Sequence, residues 1–259
     1  YVPMGTRDDY RLSDFGDYFE NIVEFEATEI DKITINLEKA GTLPDRIASS
    51  EKYKITNLKI IGEINGTDLR MIREMAKGNS IDGKLCVLDL SEAKIVEGGD
   101  WYYHENYNDY YYTSNDVIGS YAFRGCSGLT SLNLPAGITS IGESAFCGCS
   151  GLTNLTLYAG ITEIGVFALW DCSGLKEVRF CINDNLDTYL TKGHPSIDVN
   201  CGIKYYINDK EITSIEIPSN VTTLGNYVFQ GCSRLTSLNL PDGITEISEG
   251  AFQGCSGLT

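Results

Sequence analysis

With 36 acidic against 20 basic residues, this chain of 259 carries a net charge of −16. That balance argues against nucleic acid and anionic membrane surfaces, both of which call for clustered Lys and Arg. Apolar residues make up 42% of the chain, ample for a core. No stretch reaches the roughly 18 to 20 apolar residues of a membrane span.

Residues 1–28 carry no sustained period, with Arg7, Asp8, Asp9, Arg11, Asp14 and Asp17 set among scattered aromatics, and read as a loosely attached lead. From Ile30 a strand template recurs: Ile30-x-x-Ile33-x-Ile35, then Ile55-x-x-Leu58-x-Ile60, then Leu85-x-x-Leu88-x-Leu90. The alternation closing each copy is that of a short strand with one buried face. Between the second and third copies Leu69, Ile72, Met75 and Ala76 share one helical face. Thr67 or Asp68 is the expected N-cap of that helix and Gly78 its stop. A helix here covers an end of the core, so 29–117 reads as an N-terminal capping region.

After Leu90 the next strand waits until Leu129, and the extra chain contains WYYHENYNDYYY, Trp101 to Tyr112. Two readings stay open. Trp101, Tyr103, Tyr107, Tyr110 and Tyr111 present rings able to stack on sugar faces or anchor a protein partner, or the segment is a flap that buries them on the flank.

Ile118 to Ser140, IGSYAFRGCSGLTSLNLPAGITS, is followed at once by a near copy, Ile141 to Glu163. Phe123, Cys126, Leu129, Leu132 and Leu134 fall on Phe146, Cys149, Leu152, Leu155 and Leu157, a period of 23 residues. One unit cannot bury its own apolar side, so neighbours must stack. Cys126, Cys149, Cys172, Cys232 and Cys255 recur at one position and read as a column of buried thiols rather than as disulfides, while Cys147 is expected to point outward.

An insert over 181–211 interrupts the series. Asp187 to Lys192 reads as a helical turn, and KYYINDKEI as a hairpin turning at Asn208-Asp209. Cys181, His194 and Cys201 match no zinc spacing, and a Cys181–Cys201 disulfide is the lesser alternative to a plain packed insert.

The run AFxGCSGLTSLxLPxGITxIG stands at Ala122 to Gly142 and, with small changes, again at Val228 to Ser248. It closely resembles the BspA-like, Treponema-type leucine-rich repeats of bacterial surface proteins. The resemblance covers 118–259 apart from the insert. It implies an α/β repeat solenoid: a right-handed leucine-rich-repeat superhelix with a parallel β-sheet on the concave face and irregular convex returns. In such strands the residues between the leucines face the concave side, which nominates Asn133, Thr156, Lys176, Glu177, Arg179, Glu216 and Asn239, beside the loop aromatics, as binding residues.

The resemblance further implies a non-enzymatic scaffold, secreted or at the cell surface, exported by a signal sequence absent from this chain. Its partner would be a protein, of host extracellular matrix or of another cell, or a glycan. The alternatives are a carbohydrate-binding module using the Tyr-rich loop and an uncharacterised hydrolase using surface carboxylates. No catalytic residue, metal or cofactor is expected, because the two histidines, His104 and His194, lie in separate inserts and no Gly-x-Ser-x-Gly or His-Glu-x-x-His occurs. Leu258-Thr259 opens a strand that earlier copies continue, so further repeats, or self-association through the carboxy-terminal edge, are expected.

Overall fold

The structure, a computed structural model, describes residues 2–3, 24–25, 32–78, 82–106, 108–158, 160–181, 186, 190–191 and 204–259. Ile30, Tyr107, His194 and Cys201 lie outside these residues, as does nearly all of the lead. Of the helical turn expected over Asp187 to Lys192, only Leu190 and Thr191 are described, and both are helical.

Strand β1 (Val2–Pro3) pairs in parallel with β2 (Glu24–Phe25). Next come β3 (Ile33–Leu37), the short helix α1 (Leu43–Arg46), β4 (Asn57–Ile64), helix α2 (Gly66–Met75) and β5 (Val87–Ile95). The Tyr-rich segment forms an antiparallel hairpin of β6 (Gly98–His104) and β7 (Tyr110–Thr113). The repeats then alternate between two sides: β8 (Val117–Ile118), β9 (Ser131–Asn133), β10 (Ser140–Ile141), β11 (Asn154–Tyr158), β12 (Glu163–Ile164) and β13 (Glu177–Cys181). The insert supplies β14 (Lys204–Ile207) and β15 (Lys210–Glu211), and the chain continues through β16 (Ser214–Glu216), β17 (Thr223–Leu224), β18 (Ser237–Asn239) and β19 (Glu246–Ile247).

Repeat period becomes spatial register. Ile33 stands beside Leu58, Leu58 beside Leu88 and Leu88 beside Leu132, so β3, β4, β5 and β9 form one parallel ladder. The next ladder aligns Leu155, Val178 and Tyr205 across β11, β13 and β14. Thr153 N–H donates to Thr130 O at 3.2 Å, tying the two ladders together. On the return side Val117, Ser140 and Glu163 align across β8, β10 and β12.

Between the two sides lies the core, into which Leu132, Leu134, Leu155, Leu157, Ile138, Ile141 and Phe146 are all buried. The Phe123 and Phe146 rings stack at 5.6 Å, nearly parallel at 3°. The cysteine column is buried through Cys232 and bonded as well as packed: Cys149 Sγ donates to Phe123 O at 3.1 Å and Cys172 Sγ to Phe146 O at 3.2 Å. Burial pushes the Cys126 thiol up to about 11 and that of Cys172 up to about 12. Just before Cys126 and Cys149 the chain takes a left-handed turn, at Gly125 (φ 73°) and Gly148 (φ 75°), where a side chain would be strained.

Three expectations are corrected. Helix α2 is capped by Asn65, whose side chain accepts from Thr67 N–H at 3.1 Å, and not by Thr67 or Asp68. Asp68 is instead the N3 partner of a capping box: its carboxylate accepts from the N–H groups of Asn65 (2.9 Å), Gly41 (2.6 Å) and Leu43 (2.8 Å). At the other end Gly78 N–H closes on Arg73 O, but the left-handed residue is Lys77 (φ 66°).

The second correction is to the insert. Its hairpin forms, and its first strand β14 also joins the parallel ladder beside β13. The third is to the single sheet. Asn208 (φ 45°) and Asp209 (φ 64°) make a turn that sends β15 back along the outer edge of β14. That edge is thereby occupied, so the parallel ladder stops and β16 pairs with β18 in a ladder of its own. The described strands make seven open ladders, and helix is confined to α1, α2, Leu186 and the Leu190 turn among the described residues.

Candidate binding surfaces

On the outer side of the long-strand ladders, residues between the core positions line up in a row. Thr34, Lys59, Asp89 and Asn133 are successive register partners, and Thr156, Arg179 and Tyr206 carry the row on. Asn133 and Thr156 stand one period apart, in a floor of short side chains with Ser131 and Asn154. Each end of the floor is closed by charges that satisfy one another.

At the β4–β5 end Lys59 pairs with Glu92 and lies 3.8 Å from Asp89. Burial works against ionisation of Asp89, but hydrogen bonds from Ser91, the Lys59 charge and a hydrogen bond from Asn133 hold its carboxyl below the usual range. At the β13–β14 end Arg179 donates to Glu177 at 2.8 Å and to Asp209 at 2.9 Å, with its guanidinium 4.2 Å from the Tyr206 ring centroid. Of the residues nominated by sequence, Asn133, Thr156, Glu177 and Arg179 are therefore brought together on one face, and exposed Lys176 directly precedes β13. Glu216 and Asn239 sit exposed on the separate β16–β18 ladder.

Sequence reasoning missed Lys59, Asp89, Glu92, Tyr206 and Asp209. Only Tyr206 and Asp209 had a signal, the hairpin pattern, and nothing in it placed them beside Arg179.

The hairpin β6–β7 divides its aromatics between two sides. Tyr102 is 1% exposed, donates to Ser120 O at 2.8 Å, and has its hydroxyl pushed up by burial. Tyr103 stacks on Tyr121 at 5.0 Å, Tyr111 meets Tyr121 edge-on at 4.8 Å, and the guanidiniums of Arg73 and Arg124 lie over Tyr103 and Tyr121. Arg73 is fully buried, donating to the carbonyls of Tyr121 (2.6 Å), Ala122 (2.8 Å) and Arg124 (3.1 Å). It locks α2 to the first full repeat.

Trp101 is half-buried, with Arg70 over its ring at 5.0 Å and His104 against it at 88°. Its ring is engaged by its own neighbours. Among the described residues, Tyr110 and Tyr112 are the hairpin rings with substantial free surface, 44% and 54% exposed.

Such stacked, parallel-stranded units with an L-x-x-L-x-L strand side define a leucine-rich-repeat protein. The BspA type leucine rich repeat region matches this chain in six copies, over residues 102–192 and 201–259. The chain belongs to that family. Among solved structures it is similar to a leucine-rich repeat protein of Treponema pallidum, at 17% identity over 91% of this chain and 75% of that one, with a TM-score of 0.31. It is also similar to a leucine-rich repeat protein of Bacteroides ovatus (18%, 79% of this chain, 60% of that one, TM-score 0.31) and to the pneumococcal vaccine antigen PcpA (19%, 79% and 49%, TM-score 0.35). The chain thus spans about half the length of the pneumococcal antigen. No curated protein matches it.

Proposed function

We propose that the chain is a non-enzymatic binding scaffold acting outside the bacterial cell or on its surface. Its repeats coil as a right-handed solenoid that holds the row from Thr34 to Tyr206 on the concave face. Residues 29–117 serve as the N-terminal cap, 118–259 as the repeat array and 1–28 as the lead. The ligand is a protein, of extracellular matrix or of another cell. Family membership supports this, since BspA-like proteins are typically surface proteins engaged in binding or adhesion.

The observation that carries the reading is the floor of Asn133, Thr156, Ser131 and Asn154 between two self-compensated ion clusters. Short amides and hydroxyls leave room and hydrogen-bonding capacity for an incoming chain, while the paired ions at either end fix its register more than its affinity.

Beads coated with the protein should adhere to immobilised extracellular matrix. Adhesion should fall at least ~tenfold in the double variant Asn133→Lys, Thr156→Lys, which fills the floor from two solvent-facing positions. Unchanged adhesion of a folded double variant would remove this face from the account.

A further inference from the structure

The third repeat breaks the pattern of the others on the return side. Where the other repeats carry Ser120, Glu143, Asn226 and Glu249, it has Val166; where they carry Arg124, Cys147, Gln230 and Gln253, it has Trp170. Core positions of the same return, Ala168, Leu169 (Phe in the other repeats) and Cys172, stay apolar and buried. Val166, Phe167 and Trp170 are instead 65%, 50% and 53% exposed, with Phe167 edge-on to Trp170 at 5.8 Å. Contiguous exposed apolar side chains on a soluble protein mark interaction sites.

Phe167 holds φ 57°, a left-handed conformation that Gly250 occupies without strain at the equivalent place in the last repeat. Tyr121 (φ 62°), Ser144 (φ 51°) and Tyr227 (φ 55°) hold it at the same place in the other repeats, so the left-handed turn belongs to the repeat. What sets Phe167 apart is exposure: its ring is half exposed, whereas that of Tyr121 is buried against Tyr103 and Tyr111.

Charge identifies the occupant. Returns 141–149 and 164–172 contain no Lys or Arg, and their margins carry the exposed carboxylates Glu143, Glu163 and Asp171. Arg124, one return further back, is committed to Glu105 at 2.9 Å. Backbone bonds from Ser144 N–H to Val166 O (3.0 Å) and from Gly148 N–H to Trp170 O (2.8 Å) hold the two returns side by side, so rings and carboxylates share one surface. An exposed indole beside carboxylates suits apolar side chains interleaved with Lys or Arg, since a cation favours both the ring face and the acids.

We propose that Val166, Phe167 and Trp170 anchor a second contact surface, on the return side of the third repeat, for a cationic and apolar segment of a protein partner. This rests on the scaffold reading and adds a face to it.

The test uses the whole chain and a short fluorescein-labelled peptide alternating leucine and lysine, read by fluorescence anisotropy. A leucine–glutamate peptide and a neutral oligosaccharide serve as comparisons. Trp170→Gln and Phe167→Ser install residues that other repeats carry at those places, so both variants should keep the parent's circular dichroism; if Phe167→Ser does not, Trp170→Gln alone decides. The leucine–lysine peptide should bind saturably, lose affinity at least ~tenfold in either variant and weaken with added salt, while the glutamate peptide stays unbound.

Equal binding by parent and Trp170→Gln would overturn the proposal. So would a site that loses the oligosaccharide and not the peptide, which would make it a glycan surface. The Asn133→Lys, Thr156→Lys variant should retain the peptide. Loss of matrix adhesion in that variant alone, with none in Trp170→Gln, would sink the second face and leave the scaffold reading standing.

Discussion

At the scale of single residues, the repeat cysteine is both filler and donor. In the third and last repeats, as in the second, its thiol reaches the carbonyl of the phenylalanine one unit back, which a small apolar residue cannot do. A thiol ordinarily ionises near 9.0, but in the fold Cys126 holds its proton to about 11 and Cys172 to about 12 because burial penalises the thiolate. Folded-state values are raised, so above pH ~9 the unfolded chain binds fewer protons than the folded one. Stability is then fully present below pH ~9 and falls by about 1.4 kcal/mol per pH unit for each such thiol up to pH ~11. Urea midpoints taken from pH ~7 to ~10.5 should be level and then drop, and a flat profile throughout would contradict the buried column. Beside it, Phe146 is 0% exposed and stacked on Phe123. Phe146→Ala should therefore cost ~3 to 5 kcal/mol in the same measurement, and a midpoint equal to the parent's would place the ring outside the core.

At the scale of elements, α2 depends on one carboxylate. Asp68 is fully buried and accepts three backbone N–H groups, from its own cap and from the chain leading into α1. Hydrogen bonds to a charged group contribute ~1.5 to 3 kcal/mol each, and their loss strands buried donors. Asp68→Ala should destabilise the protein by at least ~3 kcal/mol, with amide exchange faster in both helices; a loss under ~1 kcal/mol would show that water replaces the carboxylate.

The helix itself was legible, since Leu69, Ile72, Met75 and Ala76 mark its buried face. Its cap was not, because Asn65, Thr67 and Asp68 are all capping residues and only the chain's approach from β4 selects among them. Register within the repeats was legible because adjacent copies are nearly identical. The strand β14 was legible as half of a hairpin, but its place in the parallel ladder was hidden because Tyr205 stands where the template calls for an aliphatic residue, off the period. Neither ion cluster was readable, since Lys59 and Glu92 are 33 residues apart and Arg179 and Asp209 are 30 apart. Such pairs exist only once the ladders are formed.

At the scale of the whole molecule, the described repeats contact mainly their neighbours, and the antiparallel arm β15 divides the strand side into a longer part and the β16–β18 pair. In such an array stability is close to a sum of unit and nearest-neighbour contributions, so one unit can be removed if register is kept. Every surface argued above inherits its geometry from that register. The direct test is to delete Ile141 to Glu163, one whole period, and to follow urea unfolding by circular dichroism. The shortened chain should retain its strand signal and unfold cooperatively at a lower midpoint, whereas deleting only Ile141 to Leu152 should abolish folding. Loss of cooperative unfolding on removing the full period, or equal tolerance of the partial deletion, would contradict an array built on a 23-residue stacking register.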